Sequence, residues 1–508
     1  MSDQPRAILS RTRRPRLEHG HPWVYANEIE RWEGAPVDGG LAEIVDAKGK
    51  FLAVGCVNTA SQIAIRVVSY APLQAMDGAF FRSRFVHCAD YRRRWVGGDE
   101  AGRSCRLVYG EADFLPGLIV DRFADVLVVQ VLTLGMELSR DVWLPELVDV
   151  FRPRGVYERS DVGARTLEGL SERTGVLFGE CPRIVEIEEN GLKLEVDIES
   201  GQKTGYFHDQ RENRAAIAPL MKGWGARSGI RLEEREIEQS ARKLVPVNAN
   251  GNIVTFPYWD GATVLECFAH TGSFALHACQ YGAKKVTCLD VSAHAIETAR
   301  RNAERNGYVD RVEFVVEDAF AYLRRQVAGR EERAARAGIH RRDQTRTQQS
   351  DQARTPAAQQ AQAADQAPAA NQAPISAPTQ KKAHALKIDT SKPLTSEGRT
   401  WDVIILDPPA FTKTKKAVAS ACRGYKDINL HAMKLINEGG YLVTASCSYH
   451  VRPELFLETI HEAARDAGKV LRLVEWRGAG RDHPRLIGVD EGHYLKFGIF
   501  EVRSRSKI

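Results

Sequence analysis

Short apolar runs, separated by Gly, Asn and Asp, mark the first two hundred residues of the chain. The runs LAEIVD, FLAVGCV and IAIRVVS predict a small β-rich domain over residues 1–78. An Arg-rich helical stretch, FFRSRFVHCADYRRRWV, opens a second segment over 79–200. There, CRLVYGEADFLPGLIVDRFADVLVVQVL predicts strands on either side of Gly, Asp and Pro turns. A small central α/β domain is therefore expected.

From residue 201 to 508 the pattern changes to strands that alternate with helices. Buried strands are predicted at ATVLECFA, KKVTCLDV, VEFVVED, WDVIILDPP and GGYLVTASCS. The stretch SAHAIETARRNAERNG predicts a helix with Ser292 as N-cap and Gly307 as terminator. Such alternation is typical of a doubly wound parallel sheet.

Two segments, at about 223–259 and 328–400, interrupt this pattern. The second is rich in Gln, Ala, Arg and Pro. It cannot bury enough apolar surface to offset its chain entropy, so we expect disorder there. A tolerated surface insertion is the simpler interpretation, and an RNA-binding tail is the alternative.

The composition of the 508 residues is 27% charged and 43% hydrophobic, ordinary for a globular protein, with a net charge of +5. The clusters RTRRPR and YRRRW suggest a polyanion partner, or simply solvated surface charge. Nine cysteines without a CxxC pair argue against a disulfide framework or a zinc ribbon, and no metal is expected. No apolar run is long enough for a bilayer, and no signal peptide is evident, so we expect a cytoplasmic protein.

A cofactor site is predicted where the first strands of the alternating region end. The turn after TVLECFA holds a single glycine, Gly272, which is a weaker signal than GxGxxG. Asp290 ends the next strand and suits two ribose hydroxyls, whereas Asp318 follows the third strand and could accept from an adenine amino group. Because no phosphate-binding loop is present, the pattern favours S-adenosylmethionine over NAD or ATP. The residues assigned to this site are Phe268, Gly272, Ser273, Phe274, Asp290 and Asp318.

The motif LDPPAF follows the fourth strand and predicts the substrate side of the site. Its two prolines fix a rigid turn that aims Asp407 into the crevice. A (D/N)PP(Y/F) turn is typical of methyltransferases that act on planar nitrogen-containing rings. Pro408 and Phe411 are candidate substrate contacts, and the Phe411 ring either stacks on a flipped base or packs within the protein.

Cys447 ends the fifth strand, beside the fourth, and so should face the same crevice as Asp407. Pyrimidine C5 is a poor nucleophile, but a thiolate that adds to C6 converts the ring into an enamine. Ring and exocyclic nitrogens need no such help. Cys447 thus favours methylation at carbon, with a structural thiol as the alternative and Cys422 as the nearest rival nucleophile.

Basic residues follow the LDPPAF turn in TKTKK and CRGYKDIN. They make phosphate contacts plausible for Lys413, Arg423 and Lys426, although solvated loop charge is the alternative.

Several motifs together carry a family resemblance. GHPWVYANEI, which includes Trp23 as a candidate RNA contact, resembles the opening of PUA domains attached to RNA methyltransferases. RLVYGEADFLPGLIVDRF, SGQKTGYFHDQRENR, LDPPAF, RGYKDINL, SCSYH and DHP…GHYLKF resemble, in order, the bacterial ribosomal RNA large subunit methyltransferase I family.

The resemblance implies a PUA domain over 1–78, a central domain over 79–200 and a Rossmann-like class I methyltransferase domain over 201–508. It also implies formation of 5-methylcytosine in 23S rRNA, with Cys447 as nucleophile and Asp407 as its motif partner. Further cofactor contacts are implied at Tyr206, Phe207 and Arg211.

The first strand departs from the family pattern, with Glu266, His270 and Ser273 in place of Asp, Tyr and Gly. Ser273 still presents its backbone N–H, so cofactor binding is expected. His270 is interpreted as a loop histidine, because no partner orients it as a base, and His450 is a weak candidate for the base of the thiol. N-methylation of guanine or adenine, 5-methyluridine formation, a non-enzymatic assembly factor and a homodimer all stay open.

Overall fold

The structure is a computed structural model. It describes residues 4–11, 16–97, 104–221, 231–237, 241–248, 250–253, 261–352 and 398–508. Residues 12–15 of the first basic cluster, much of the first predicted insertion and residues 353–397 of the second lie outside the described residues. The chain divides into two units, one formed by Met1–Ala319 with Trp401–Ile508 and the other by Phe320–Thr400.

The first unit begins with a six-stranded sheet, which confirms the predicted β-rich domain. Its strands enclose a core that contains Leu9, Val24, Ile44, Ile65 and Val67. Its strands are β1 (Arg6–Leu9), β2 (Trp23–Tyr25), β3 (Ile29–Glu33), β4 (Leu41–Val45), β5 (Phe51–Val57) and β6 (Ile63–Ser69), in the order β2-β6-β5-β4-β1-β3.

A second layer follows, in which helices pack on a five-stranded sheet through Phe81, Phe85, Trp143 and Leu147. Helix α1 (Gly78–Trp95) starts at Asp77, whose side chain accepts from the Phe80 N–H. The other elements are β7 (Ser104–Tyr109), β8 (Leu118–Phe123), β9 (Val126–Val131), α2 (Leu134–Leu138), α3 (Arg140–Phe151), β10 (Gly155–Ser160), β11 (Arg173–Gly179) and the hairpin β12 (Ile184–Glu189) with β13 (Leu192–Asp197). The sheet order is β11-β10-β9-β8-β7.

A seven-stranded sheet forms the rest of the first unit. Its strands are β16 (Thr263–Cys267), β17 (Lys285–Asp290), β18 (Val312–Val316), β19 (Trp401–Leu406), β20 (Ile436–Ser446), β21 (Lys469–Arg477) and β22 (Lys496–Ser504), in the order β18-β17-β16-β19-β20-β22-β21. The first five are parallel, as the alternating pattern predicts, and β22 runs antiparallel to both of its neighbours.

Helices and a hairpin complete this part of the chain. They are α4 (Arg211–Ala216), α5 (Ala218–Met221), the hairpin β14 (Arg231–Ile237) with β15 (Ala241–Val247), α6 (Ser273–Gln280), α7 (Ala293–Arg305), α9 (Val418–Leu435) and α10 (Pro453–Asp466). Ser292 caps α7, as predicted, since its hydroxyl accepts from the Ala295 N–H.

The second unit differs from the sequence expectation. Helix α8 (Ala319–Gln352) continues through residues 328–352, where disorder was expected. Ala, Arg, Glu and Gln are strong helix formers, and pairs one turn apart, such as Glu332 with Arg336 at 2.6 Å, support a helix without a packed core.

A buried polar network joins the first sheet to the second layer. The Trp23 indole N–H donates to Glu111 Oε1 (2.8 Å), and the Arg66 guanidinium lies 5.0 Å from the Trp23 ring. Arg66 also pairs with Glu111 (3.1 Å) and Glu168 (2.9 Å). The Trp23 N–H is thus bound within the protein while the residue is only partly buried, and the RNA contact predicted for Trp23 stays a prediction.

All nine cysteines are free thiols. Among the residues that the structure describes, no group of three His, Cys, Asp or Glu side chains is arranged to hold a metal ion. No helix in the same residues has both the length and the hydropathy to cross a membrane.

Candidate functional site

Parallel pairing brings the predicted chemistry to one edge of the seven-stranded sheet. Leu406, the last residue of β19, pairs with Cys267 at the end of β16 and with Thr444 near the end of β20. Asp407 follows β19 directly, and Cys447 follows the adjacent strand β20 directly. The carboxyl ends of parallel strands therefore place the two side chains on the same edge.

The loop after β16 has a strained backbone. Phe268, His270 and Gly272 all have positive φ, at 63°, 49° and 75°. Asp290 holds this loop, because its Oδ2 accepts from the His270 N–H at 2.8 Å and its Oδ1 accepts from the Ser292 N–H at 2.9 Å. Left-handed conformations at non-glycine residues are costly and are concentrated at functional sites.

Two predicted cofactor residues have a packing role. A Cβ on Gly272 would lie 2.8 Å from the Cβ of Ala299 on α7, so glycine allows these elements to approach. Phe274 is 2% exposed and stacks on Phe497 with ring centroids 6.1 Å apart. Its ring thus belongs to the core, and only its backbone is near the turn.

Glu266 is held at the start of α6. Its Oε2 accepts from the Ala275 N–H at 2.8 Å, which satisfies one of the free amides at a helix N-terminus. Burial raises the pKa of Glu266 to about 8. The substitution of Glu for Asp therefore keeps an acceptor for these amides.

The edge formed by β16, β17 and β18 offers acceptors and few cations. Asp290 is partly exposed, Asp318 is exposed, and the loop 268–272 contains no Lys or Arg. Carboxylates can accept from ribose hydroxyls and from an adenine amino group. This set of groups fits an adenosyl ligand that carries no phosphate.

The segment 201–211 lies against that loop. The ring of Phe207 meets the His270 ring edge-on, with centroids 5.3 Å apart. Lys203 Nζ lies 4.5 Å from the Phe207 ring and donates to Asp209 Oδ2 at 3.0 Å. The structure therefore brings Phe207 to the predicted cofactor site.

Tyr206 and Arg211 have other partners. The Tyr206 hydroxyl donates to Glu189 Oε1 at 3.0 Å, and Arg211 donates to the Ser104 carbonyl at 3.0 Å. Arg211 also lies 3.6 Å from Asp482. Both side chains are buried, and these contacts fix the segment to the second layer; cofactor contact through them stays a prediction.

Asp407 is oriented by a chain of amides. Gln210 Nε2 donates to Asp407 Oδ1 at 2.8 Å, and Asn213 Nδ2 donates to Gln210 Oε1 at 2.6 Å. Burial, together with the charge of Asp209, raises the pKa of Asp407 to about 7, whereas Lys203 opposes this shift. Asp407 can therefore be a hydrogen-bond donor or an acceptor near neutral pH.

Cys447 is partly exposed, and its neighbours in sequence are fully buried. Ser446 Oγ donates to the Tyr425 hydroxyl at 3.0 Å, and Ser448 Oγ lies 2.9 Å from the same hydroxyl. The Cys447 thiol instead contacts the Pro408 carbonyl at 3.8 Å. Burial, followed by the charge of Asp407, raises the pKa of Cys447 to about 11.

Some side chains after the LDPPAF turn are exposed, and others pack or form ion pairs within the protein. Phe411 packs on Tyr425 with centroids 4.5 Å apart, and Lys413 and Arg423 are exposed. Lys426 forms ion pairs with two carboxylates of α10, Glu462 (3.1 Å) and Asp466 (2.8 Å). These ion pairs join α9 to α10, and a phosphate contact through Lys426 stays a prediction. Cys422 lies on α9.

A cleft of about 620 Å³ opens between the first domain and the turn that follows β20. The sequence gives no sign of it, because its walls come from distant parts of the chain. Its lining combines the basic and aromatic residues Arg16, His19, Lys415, Tyr449, His450 and Arg452 with the carboxylates Glu454, Asp490 and Glu491.

Several site residues were not singled out from the sequence. Lys203, Asp209 and Gln210 lie within SGQKTGYFHDQRENR, and Tyr494 and Lys496 lie within GHYLKF. The Tyr494 hydroxyl donates to Asp209 Oδ2 at 2.6 Å. In the sequence, the concentration of polar residues within these two family motifs is the feature that could have pointed to them.

Removal of the Tyr425 hydroxyl should destabilise the turn that carries Cys447. Tyr425→Phe leaves two buried serine hydroxyls without this partner, so we expect a loss of about 1–3 kcal/mol in the free energy of unfolding. Urea denaturation measures it. Tyr281→Phe is the control, and equal stability of the two variants would contradict the role given to the Tyr425 hydroxyl.

Asp407→Asn should stabilise the protein at high pH. The folded-state pKa of Asp407, about 7, lies well above the ordinary value of an aspartate side chain, so wild-type stability falls as pH rises from that ordinary value through pH 7. The variant lacks this loss and should be more stable at pH 8 by on the order of 1–3 kcal/mol, with the difference shrinking towards pH 4. Thermal unfolding at several pH values measures the trend, and Asp310→Asn is a surface control. A difference independent of pH would contradict it.

Family models match two parts of the chain. A PUA-like domain matches residues 7–70, and a methyltransferase domain matches residues 264–328. These ranges coincide with the first sheet and with the start of the seven-stranded sheet.

Relatives and solved structures match nearly the whole chain. Ribosomal RNA large subunit methyltransferase I of Klebsiella pneumoniae (strain 342) is 33% identical over 97% of both chains, and that of Escherichia coli O139:H28 is 33% identical over 97% of this chain and 98% of its own. Two solved structures share the fold at 16% identity. One, from Streptococcus mutans and assigned to the SAM-dependent methyltransferases, has a TM-score of 0.64 and covers 98% of this chain and 99% of its own. The other, a protein assigned to the methyltransferases and determined with SAH, has a TM-score of 0.65 and the same coverage. The family resemblance and the three-part fold are confirmed: this chain belongs to the ribosomal RNA large subunit methyltransferase I family.

Proposed function

We propose that this protein is an S-adenosylmethionine-dependent methyltransferase that forms 5-methylcytosine in 23S rRNA. The observation that carries the proposal is the position of Asp407 and Cys447, which directly follow the paired strands β19 and β20. The names of its relatives support ribosomal RNA as the class of substrate.

Asp290, Asp318 and the loop 268–272 are the residues that would hold the cofactor. The carboxylates of Asp290 and Asp318 accept from hydroxyl and amino groups, and Phe207 lies against His270 of the same loop. When bound, S-adenosylmethionine supplies an electrophilic methyl group. The strained loop is already held by Asp290, so little reorganisation is needed on binding.

Cys447 makes a pyrimidine carbon reactive. Its thiolate adds to C6, a C–S bond forms, and the electron pair of the C5–C6 double bond moves so that C5 becomes nucleophilic. Once C5 carries the methyl group, its proton leaves, the C–S bond breaks and the thiolate is expelled. The pyrimidine ring is thereby restored and Cys447 is regenerated.

Asp407 recognises the base and assists the addition. With a pKa of about 7, a large share of the side chain is protonated at neutral pH and can donate to N3 of cytosine. A hydrogen bond or proton at N3 withdraws electrons from the ring and favours attack at C6. Gln210 fixes the carboxyl group for this contact.

The cleft that includes Tyr449 and His450 is the candidate path for the RNA strand, because cations lie on both of its walls. Arg16 lies on the first domain, whereas Lys415 and Arg452 belong to the methyltransferase domain. Phosphate contacts position a strand and do not themselves read its sequence. The cleft would therefore guide the nucleotides that flank the target base.

N-methylation of guanine or adenine is the alternative. It is favoured by the raised pKa of Cys447, because a neutral thiol is a poor nucleophile. In that reaction Asp407 would still contact the base, and Cys447 would be structural. The methylated nucleosides, identified by mass spectrometry, separate the two proposals.

Cys447→Ala should reduce methylation by several orders of magnitude and leave cofactor affinity unchanged, since the nucleophile is lost and the cofactor edge is intact. The measurements are mass spectrometry of nucleosides from 23S rRNA and isothermal titration with S-adenosylmethionine. Cys422→Ala, which removes the rival thiol, is the matched control. Formation of 5-methylcytosine by Cys447→Ala would overturn the proposed mechanism.

Lys415→Ala should weaken RNA binding and lower the salt dependence of the affinity by about one counterion. Filter binding at several salt concentrations measures both effects. Lys426→Ala is the matched control, because its ammonium is already paired with Glu462 and Asp466. An equal loss in the two variants would contradict the placement of RNA in the cleft.

A further inference from the structure

Lys496 is a buried cation at the start of β22. Its side chain is 0% exposed, and Nζ donates to the carbonyls of Ser448 and Tyr494, each at 2.7 Å. Within the residues that the structure describes, no carboxylate forms an ion pair with it. A buried charge without a counter-charge is costly, so its retention calls for a function.

The position of Lys496 is tied to the nucleophile. Ser448, whose carbonyl accepts from Nζ, is the residue after Cys447, and β22 pairs with β20 through Ser446 and Lys496 themselves. An ammonium has three hydrogens, and the two carbonyls use two of them. One donor is left for a further acceptor.

We propose that Lys496 is a positioning residue whose ammonium serves as the counter-charge of the Cys447 thiolate. The inference rests on the proposed function, in which the thiolate attacks C6. The thiol proton leaves to solvent, Sγ takes the negative charge, and Nζ keeps its three hydrogens. In a medium of low polarity, a nearby opposite charge favours the ionised thiol.

Four charged groups act on Cys447, and they explain why Lys496 is needed. Asp407 and Asp209 raise the pKa of the thiol, whereas Lys203 and Lys496 lower it. Lys203, however, forms an ion pair with Asp209 at 3.0 Å and is 42% exposed, so its charge is largely offset. Lys496 has no such anion among the described residues.

Cys447 in turn affects the pKa of Lys496. Burial lowers the pKa of Lys496 to about 8, and Cys447 is the group whose negative charge opposes that shift. The neighbouring Tyr425 hydroxyl, which also senses the charge of Cys447, is bound by Ser446 and Ser448. Each of the two groups, Cys447 and Lys496, therefore favours the charged form of the other.

The test is the pH dependence of Cys447 alkylation in the full-length protein, with iodoacetamide as the probe and peptide mass spectrometry as the readout. Lys496→Met should slow alkylation of Cys447 at least about tenfold at pH 7, where Lys496 is mostly protonated; this factor corresponds to one pKa unit. Alkylation of Cys422 in the same samples is the internal control and should not change.

Two further variants distinguish the effect of the Lys496 charge from the effect of its hydrogen bonds. Lys496→Gln keeps a donor without the charge and should behave like Lys496→Met, whereas Lys496→Arg keeps the charge and should react faster than both. If Lys496→Met does not fold, the comparison of Arg with Gln decides alone. Equal alkylation profiles for Arg and Gln, or a wild-type profile for Met, would overturn the inference.

The assay needs neither RNA nor cofactor, so its outcome is distinct from that of the proposed function. Formation of 5-methylcytosine by Cys447→Ala would disprove the proposed function, whatever alkylation rates are measured. Unchanged alkylation in the Lys496 variants would remove only the role of Lys496.

Discussion

The parallel pairing of β19 with β20 is the constraint on which the site depends. It sets Leu406 opposite Thr444, so that Asp407 and Cys447 emerge at the same edge although forty residues of chain separate them. The antiparallel strand β22 then adds Lys496 from the other side of β20. Nucleophile, carboxyl group and cation thus come from three neighbouring strands, and their spacing is fixed by backbone hydrogen bonds.

Desolvation shapes the chemistry of this edge. Burial moves the pKa of Glu266, Asp407 and Cys447 upward and that of Lys496 downward, in each case towards the neutral form. In the free protein these four groups are therefore shifted towards their neutral forms, next to the ion pair of Lys203 with Asp209. Charge would develop there as a substrate and a cofactor arrive, in surroundings where each new charge interacts strongly with its neighbours.

Local pattern was enough to predict the strands and the residues at their ends. Asp290, Asp407 and Cys447 could be placed because buried parallel strands have a plain apolar signature and their carboxyl ends share an edge. Partners from distant parts of the chain could not be predicted. The carboxylates that neutralise Lys426 lie on another helix, and the acceptors of Arg211 lie on the second layer and beyond α10. Only the fold brings them together.

The extent of α8 shows a different limit. Composition predicted disorder from residue 328, yet Ala, Arg and Glu also favour a helix, and composition alone does not choose between a solvated helix and a coil. Trp23 shows the same ambiguity at a surface, since an aromatic ring with an N–H suits either nucleic acid or a buried carboxylate.

The network of Trp23, Arg66, Glu111 and Glu168 fixes the first domain to the second layer through charged hydrogen bonds rather than through a flexible linker. Arg16, on one wall of the cleft, therefore belongs to a domain whose position relative to the second layer is fixed. Under the proposed function, an RNA strand that contacts both walls of the cleft would meet them at a constant spacing. The length of RNA between these two contacts would then contribute to the choice of the target nucleotide.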